Sequence, residues 1–150
     1  MVTNEKVITI NRPVEEVFAY VGDAGNGPKW QSALVEASRI TQGPLGVGTQ
    51  FKGVRKFMGR KMESVMHYTT YEPNKKVVFK SDSGSMPFVQ TFLFEPSAGG
   101  TRLTARLELQ ISGLMGLVKP MIASGVKSEV DENFGVLKGI LESQVKPASA

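Results

Sequence analysis

The sequence predicts an α+β fold in which a curved antiparallel sheet of about seven strands surrounds a long C-terminal helix. Two patterns carry this prediction. Between residues 33 and 111, apolar and polar side chains alternate in one short segment after another, as in strands with one buried face. From residue 117 to residue 145, apolar side chains recur at steps of three and four, as along a helix.

The composition limits the classes of protein to which the chain can belong. Its 150 residues, 41% of them hydrophobic, suit a single domain over residues 1–150 with a substantial core. The absence of cysteine excludes disulfides and a thiol nucleophile. No secretory leader is recognisable, and no apolar run approaches the ~20 residues of a membrane-spanning helix. We therefore expect a soluble cytoplasmic protein, a monomer or a homodimer, that does not insert into membranes.

The N-terminal segment is predicted to form a strand followed by one or two short helices. Residues 5–10 alternate as a strand does, and Pro13 suits the first position of a helix. Gly22 is expected to end that helix. Residues 25–28 (G-N-G-P) should then form a loop that leads to Trp30, the only tryptophan.

The middle of the chain is predicted to form six further strands. Their ranges are residues 35–40, 49–57, 60–71, 77–81, 87–94 and 101–111. The last strand has one wholly apolar face, which consists of Leu103, Ala105, Leu107, Leu109 and Ile111. The strand before it has an apolar face with one polar exception, Gln90, and its other members are Met86, Phe88, Phe92 and Phe94. Such alternation predicts that one face of the sheet is buried and the other solvated.

The C-terminal helix is predicted to lie along the inner face of this sheet. Its apolar stripe consists of Val118, Ile122, Val126, Val130, Phe134, Leu137 and Leu141. A straight helix cannot contact all of a strongly twisted sheet, so side chains or a cavity must fill the remaining space. Five flexible side chains suit an adaptable cavity lining but would equally suit a closed core: Met62, Met66, Met86, Met115 and Met121. The methionines alone leave both interpretations open.

Five short segments, taken in order, carry a family resemblance that extends over nearly the whole chain. They are I-T-I-N-R-P-V-E-E-V-F-A-Y-V-G-D (residues 8–23), N-G-P-K-W (26–30), G-V-G-T (46–49), Y-E-P (71–73) and F-E-P…G-G-T-R-L-T (94–104). Together with the terminal helix, they resemble the helix-grip (SRPBCC) superfamily, which includes START domains, the birch-pollen allergen proteins and the polyketide cyclase/dehydrase-like proteins. The resemblance implies a cavity for a hydrophobic or amphipathic small molecule beneath the C-terminal helix. It does not imply one chemistry, since proteins of this fold serve as lipid or hormone binders, cyclases, hydrolases or partners of other proteins.

No pattern in the sequence predicts a metal or a cofactor. One histidine, no cysteine and no carboxylate series with calcium-loop spacing argue against a metal site. Residues 46–48 (G-V-G) lack the third glycine of a dinucleotide-binding motif and precede a strand, so we interpret them as a turn. His67 is the obvious general base, because histidine is the common acid–base catalyst at neutral pH. It alternates with Met66 and Tyr68, however, and is expected to face outward.

Polar side chains on otherwise apolar faces are the best candidates for ligand contacts. A buried amide such as that of Gln90 needs a partner, which could be a ligand carbonyl or hydroxyl, another side chain or water. Arg55 shares a face with Phe51 and Phe57, so it either points inward to an anionic ligand or acid or extends along the surface. The residues expected to line the cavity are Trp30, Phe51, Arg55, Phe57, Met62, Met66, Tyr68, Met86, Phe88, Gln90, Phe92, Leu107, Met121 and Phe134.

Three functions are compatible with the sequence. The leading hypothesis is that the cavity binds a hydrophobic or amphipathic small molecule, lipid-like or polyketide-like, without a cofactor. The second is a metal-free enzyme of the polyketide cyclase/dehydratase type, whose catalytic groups would be among the polar residues named above. The third is an interaction module whose basic hairpin (Arg55, Lys56, Arg60 and Lys61) contacts RNA or an acidic protein. The net charge of +4 comes from scattered residues and does not itself predict specific nucleic-acid binding.

Overall fold

The computed structural model describes residues 2–57, 59–82, 87–111 and 113–143, and within them seven strands form one antiparallel sheet. The strands are β1 (Val2–Ile10), β2 (Leu34–Arg39), β3 (Gln50–Phe57), β4 (Arg60–Glu72), β5 (Lys76–Ser81), β6 (Phe88–Ser97) and β7 (Gly100–Leu109). Their order across the sheet is β1-β7-β6-β5-β4-β3-β2, so every neighbouring pair except β1 and β7 is a hairpin or a short connection. The predicted antiparallel sheet is confirmed.

The helices follow the predicted order, with two corrections to their bounds. α1 spans Val14–Val21 and α2 spans Lys119–Ser143. The expected loop over residues 25–28 is instead a 3₁₀ helix, Ala24–Lys29, in which the Asp23 carboxylate accepts a hydrogen bond from the Gly25 amide at 2.9 Å. The long helix begins at Lys119 rather than residue 117, because a 3₁₀ helix, Gly113–Val118, precedes it. Proline lacks an amide proton, so Pro120 is tolerated in the first turn of α2.

The turn between β6 and β7 depends on two glycines. Gly99 has a φ of 76°, a left-handed conformation that glycine adopts without steric cost. At Gly100 a Cβ atom would collide with the carbonyl oxygen of Ile10, so only glycine allows β1 to approach β7 this closely. The turn thereby fixes the register in which Ile10 pairs with Thr101.

Polar contacts fasten α2 along β1. The Lys6 Nζ lies 3.0 Å from the Asp131 carboxylate. Further along, the Glu142 carboxylate accepts a hydrogen bond from the Asn11 amide at 2.8 Å, and the Arg12 Nε donates one to the Leu141 carbonyl at 2.9 Å. These contacts pair later residues of α2 with later residues of β1. The helix and the strand therefore run in the same direction, and α2 begins near the end of the sheet where β1 begins.

The inward faces of the sheet and of α2 are those that the alternation predicted. On β7, Leu103 and Ala105 are buried, while Arg102 and Arg106 on the opposite face are exposed. The buried members of the α2 stripe are Ile122, Phe134, Leu137 and Leu141. α1 closes one end of this interior, where the ring of Phe18 meets that of Phe94 edge-on at 5.1 Å.

Candidate ligand-binding site

The inner face of the sheet is fully packed at the end next to α1. Phe92 and Phe94 of β6 are each 3% exposed, and Leu103 of β7 is not exposed at all. Trp30 packs here with its ring centroid 6.2 Å from that of Phe92 and 5.3 Å from that of Phe134 on α2. We call this region the packed end. Trp30 therefore anchors the segment after the first 3₁₀ helix to the core.

Tyr68 belongs to the same packed region and has a structural contact for its hydroxyl. The side chain is completely buried, and its ring lies 4.6 Å from that of Phe79. The Tyr68 hydroxyl donates a hydrogen bond to the Gly22 carbonyl at 2.7 Å and accepts one from the Ala24 amide at 3.0 Å. Burial raises the pKa of Tyr68 well above its usual range, so the hydroxyl keeps its proton. Tyr68 thus ties β4 to the chain that follows α1.

The same inner face is only half-buried at its other end, which we call the open end. Phe88 and Gln90 of β6 and Leu107 and Leu109 of β7 are all half-buried, although they continue the faces that are buried at the packed end. The same change occurs along β4, where Met62 is half-buried and Met66, four residues on, is 8% exposed. Opposite these strands, Val126 and Val130 of α2 are also half-buried. β6 and β7, and separately β4, thus leave apolar surface that the described side chains do not cover. The inward residues of β5, which lies between β4 and β6, stay buried as far as Ser81, and Ile122 near the start of α2 is buried as well.

Gln90 lies within this half-buried apolar surface, and one of its hydrogen-bonding groups has no partner among the described residues. It pairs with Leu107 on one side and with Phe79 on the other. Its side-chain amide nitrogen donates to the backbone carbonyls of Thr91 at 3.2 Å and Arg106 at 3.1 Å. Because both partners are acceptors, the nitrogen must face them, and the Oε1 atom remains as an acceptor.

Arg55 points toward α2 rather than along the surface. Its Nη1 lies 3.2 Å from the Glu129 carboxylate, and its Nη2 donates to the Gln31 side-chain oxygen at 3.1 Å. The Arg55 side chain is 41% exposed and that of Glu129 29%. Loss of hydration lowers the pKa of the Arg55 guanidinium and the Glu129 charge raises it, but arginine stays protonated in either case. The three residues of this cluster are distant in sequence. Their contacts therefore join β3 to α2 and to the segment after Trp30.

A second polar contact beside this cluster was not predicted from the sequence. Asn133 of α2 is 5% exposed, and its Oδ1 accepts hydrogen bonds from the Ser32 amide at 3.1 Å and from the Ser32 hydroxyl at 3.2 Å. Asn133 follows Glu129 by one helical turn, so α2 contacts Ser32 directly and Gln31 by way of Arg55. The only signal in the sequence was a polar residue next to Phe134 at the border of the apolar stripe.

The structure brings together most, but not all, of the residues expected to line the cavity. Six of them belong to the buried core cluster, namely Trp30, Phe51, Met66, Tyr68, Phe92 and Phe134. Five adjoin the half-buried surface, namely Arg55, Met62, Phe88, Gln90 and Leu107. Met121 does not join them, because it lies off the inward stripe of α2 and is 72% exposed. Met86 and the side chain of Phe57 lie outside the described residues.

The other candidates from the sequence lie away from the interior. His67 alternates with the buried Met66 and Tyr68, as expected of an outward-facing residue, and is half-buried. Among the described residues, no group of three or more His, Cys, Asp or Glu side chains could hold a metal ion. A shallow depression of about 270 Å³ on the outer surface of α1 is lined by Glu16, Ala19, Tyr20 and Asn26. No helix within the described ranges is long and apolar enough to cross a membrane.

The sequence matches the family model described as "Polyketide cyclase / dehydrase and lipid transport" over residues 1–142. The chain belongs to this family. Two proteins of Mycobacterium tuberculosis, named Uncharacterized protein Rv1546 in strain H37Rv and Uncharacterized protein MT1597 in strain CDC 1551, are each 31% identical to it over 106 residues. The matched region covers 70% of this chain and 69% of each of those proteins.

Several solved structures share the fold at low sequence identity. The Zhui aromatase/cyclase from a Streptomyces species has a TM-score of 0.78 at 10% identity. The match covers 99% of this chain and 98% of the Zhui chain. A START superfamily protein from Mycobacterium smegmatis has a TM-score of 0.76 at 16% identity, covering 93% and 97%. The protein TTHA0849 from Thermus thermophilus has a TM-score of 0.76 at 19% identity, covering 92% and 94%. The protein thus has the helix-grip fold and belongs to the polyketide cyclase/dehydrase family.

Proposed function

We propose that this protein binds a hydrophobic or amphipathic small molecule, lipid-like or polyketide-like, between the open end of the sheet and the first half of α2. One observation carries the proposal: along β4, β6 and β7, the inward side chains change from buried to half-buried toward the same end. Apolar surface that faces the interior of the fold and is incompletely covered is what a hydrophobic ligand would bury.

Two polar groups favour an amphipathic ligand over a pure hydrocarbon. The Gln90 Oε1 can accept a hydrogen bond from a ligand hydroxyl. Arg55 uses one N–H group toward Glu129 and one toward Gln31. Its other guanidinium N–H groups have no partner in the described part of the chain and could meet a ligand carbonyl. Because Glu129 already balances the charge of Arg55, a neutral oxygen suits this position better than a carboxylate.

A pair of ligands that differ in one hydroxyl tests the role of Gln90. We expect 2-naphthol and 2-methylnaphthalene both to bind, and Gln90→Leu to weaken binding of 2-naphthol about tenfold by removing the acceptor. Binding of 2-methylnaphthalene should stay the same or improve. The matched control is Gln110→Leu, the same change at an exposed position just after β7. Fluorescence titration gives the dissociation constants.

Native mass spectrometry of the gently purified protein tests the proposal without a chosen ligand. A bound lipid or aromatic compound, removed by organic extraction and identified, would support it. Failure of both naphthalenes and of a series of fatty acids to bind, together with an empty protein in the native spectrum, would overturn it.

A second candidate function is catalysis of the cyclase/dehydratase type, and the cluster of Arg55, Glu129 and Gln31 favours it. A guanidinium beside an interior surface can polarise a ketide carbonyl during aldol closure. Tyr68 has no role in this hypothesis, since both hydrogen-bonding functions of its hydroxyl are used by Gly22 and Ala24. If the protein closes a poly-β-ketone chain, Arg55→Gln should lower kcat at least about tenfold. Absence of turnover by the unmodified protein would eliminate this candidate.

A further inference from the structure

One end of the molecule exposes both apolar and cationic side chains, which we call the mouth surface. Its apolar members are Leu117 and Met121, which are 81% and 72% exposed and are the most exposed large hydrophobic residues in the described part of the chain. Its cationic members are Lys56, Arg60, Lys61 and Lys119, all exposed. Exposed aliphatic side chains of this size at a site rich in cations call for a partner that accommodates both.

Chain connectivity places both groups at the open end. The β3–β4 hairpin turns between Phe57 and Arg60, and β7 ends at Leu109, shortly before the 3₁₀ helix that leads into α2. Neighbouring strands of an antiparallel sheet run in opposite directions. In this strand order, one side of the sheet therefore carries the end of β3, the start of β4 and the end of β7. The ion pair between Arg55 and Glu129 at 3.2 Å also joins the hairpin directly to α2.

The cations of the mouth surface are not neutralised by nearby carboxylates. Glu129 pairs with Arg55, and Glu63 on the same hairpin pairs with Lys52 at 3.3 Å. Asp82 at the end of β5 pairs with Lys80 at 3.7 Å. Within the described ranges, none of Lys56, Arg60, Lys61 and Lys119 has a carboxylate partner. The positive charge at this end is therefore available to an anionic partner.

We propose that the mouth surface docks onto membranes that contain anionic phospholipids. Lysine and arginine would lie at the phosphate headgroups, while Leu117 and Met121 would reach the boundary with the acyl chains. This shallow contact revises the expectation from the sequence that the protein does not insert into membranes. RNA fits less well, because single-stranded RNA is bound by stacking on aromatic rings and the exposed large hydrophobic residues of the described chain are all aliphatic. Membrane docking is a role separate from ligand binding. If the open end binds the ligand as proposed above, docking would place that end against the bilayer.

Vesicle sedimentation with matched charge variants tests this surface. Vesicles of phosphatidylcholine with about 30% phosphatidylglycerol should bind the protein at low salt, and pure phosphatidylcholine should bind it much more weakly. R60Q/K61Q should lower the partition coefficient roughly 20-fold. The control K75Q/R102Q removes the same charges from exposed positions at the opposite end of the sheet, and should change binding by no more than about twofold.

The apolar half of the surface needs a separate variant. L117Q/M121Q leaves the charge unchanged and should weaken vesicle binding about tenfold, with a thermal unfolding transition like that of the original chain because both side chains are exposed. Equal losses in R60Q/K61Q and K75Q/R102Q would show mere net-charge attraction and overturn the proposal. Absence of vesicle binding, or a single-stranded RNA that binds and loses affinity in R60Q/K61Q while vesicles do not, would also overturn it. These outcomes are independent of whether 2-naphthol binds.

Discussion

The two ends of the inner sheet face use the same strands for different purposes. At the packed end, Phe92, Phe94 and Leu103 are at most 3% exposed. The ring of Phe18 on α1 contacts Phe94, and the ring of Trp30, which follows the first 3₁₀ helix, packs near Phe92. At the open end, Phe88 and Leu107 continue the same alternation but are half-buried. The periodicity of a strand thus determines which way a side chain points. What covers the side chain depends on where α1 and α2 lie over the curved sheet.

The polar groups differ between the two ends in the same way. The Tyr68 hydroxyl at the packed end has its donor and acceptor functions satisfied by backbone groups. At the open end, Gln90 keeps an acceptor and Arg55 keeps N–H groups without a protein partner among the described residues. A buried polar group must be satisfied by the protein, whereas one beside a ligand site can leave this to the ligand. The contrast predicts that substitutions at the packed end reduce stability and those at the open end alter binding.

The largest expected effect comes from shortening one phenylalanine at each end of β6. Phe92→Ala should lower the free energy of unfolding by about 3–5 kcal/mol, because a fully packed ring leaves a cavity. Phe88→Ala should cost about 1–2 kcal/mol, since its ring is already partly accessible, but should weaken binding of 2-methylnaphthalene. Urea unfolding and fluorescence titration measure the two quantities. Equal stability losses would contradict the distinction between the ends.

Removing the Tyr68 hydroxyl should affect stability alone. In Tyr68→Phe the Gly22 carbonyl and the Ala24 amide lose their partner inside the core, which costs about 1–3 kcal/mol. Ligand affinity should be unchanged, because the hydroxyl does not reach the open end. A variant of native stability with lower affinity would show that Tyr68 contacts the ligand after all.

Much of the architecture, but less of the site, followed from the sequence. The inward positions of Leu103, Ala105 and Leu107 were predictable because strand alternation is a local property. The partners of Arg55 and Tyr68 were not, since Glu129 lies 74 residues from Arg55 and Gly22 lies 46 residues from Tyr68 along the chain. Met121 was placed in the lining for its flexible side chain alone, and its position off the helical stripe decided otherwise.

Neutralising the partner of Arg55 should change ligand preference at the open end. Glu129→Gln keeps a hydrogen-bond acceptor but leaves the guanidinium charge unbalanced, so 2-naphthoate should bind about tenfold more tightly. Binding of 2-naphthol should change little. Glu132→Gln is the control, because Glu132 is an exposed carboxylate of the same helix without an ion pair in the described chain. If both variants raise naphthoate affinity equally, general charge rather than Arg55 would be responsible.

The smallest expected effect is a loss of stability in acid from the contacts that fasten α2. A hydrogen bond from Lys6 lowers the pKa of Asp131 from its ordinary 3.8, and one from Lys138 lowers that of Glu142 from its ordinary 4.5. Their folded pKa values lie below the unfolded ones, so this stabilisation is complete above about pH 4.5 and disappears as the pH falls through the folded values. Urea unfolding at pH 7 and pH 3 should show a smaller decrease for D131N/E142Q than for the original chain. An identical decrease would remove these two carboxylates as the cause.

A crystal structure of the protein with 2-naphthol tests the central claim most directly. We expect the naphthalene to lie against Phe88 and Leu107 with its hydroxyl donating to the Gln90 Oε1, while Phe92 and Tyr68 keep their present packing. A naphthol bound in the outer depression beside Glu16 and Tyr20, with the open end unchanged, would contradict it.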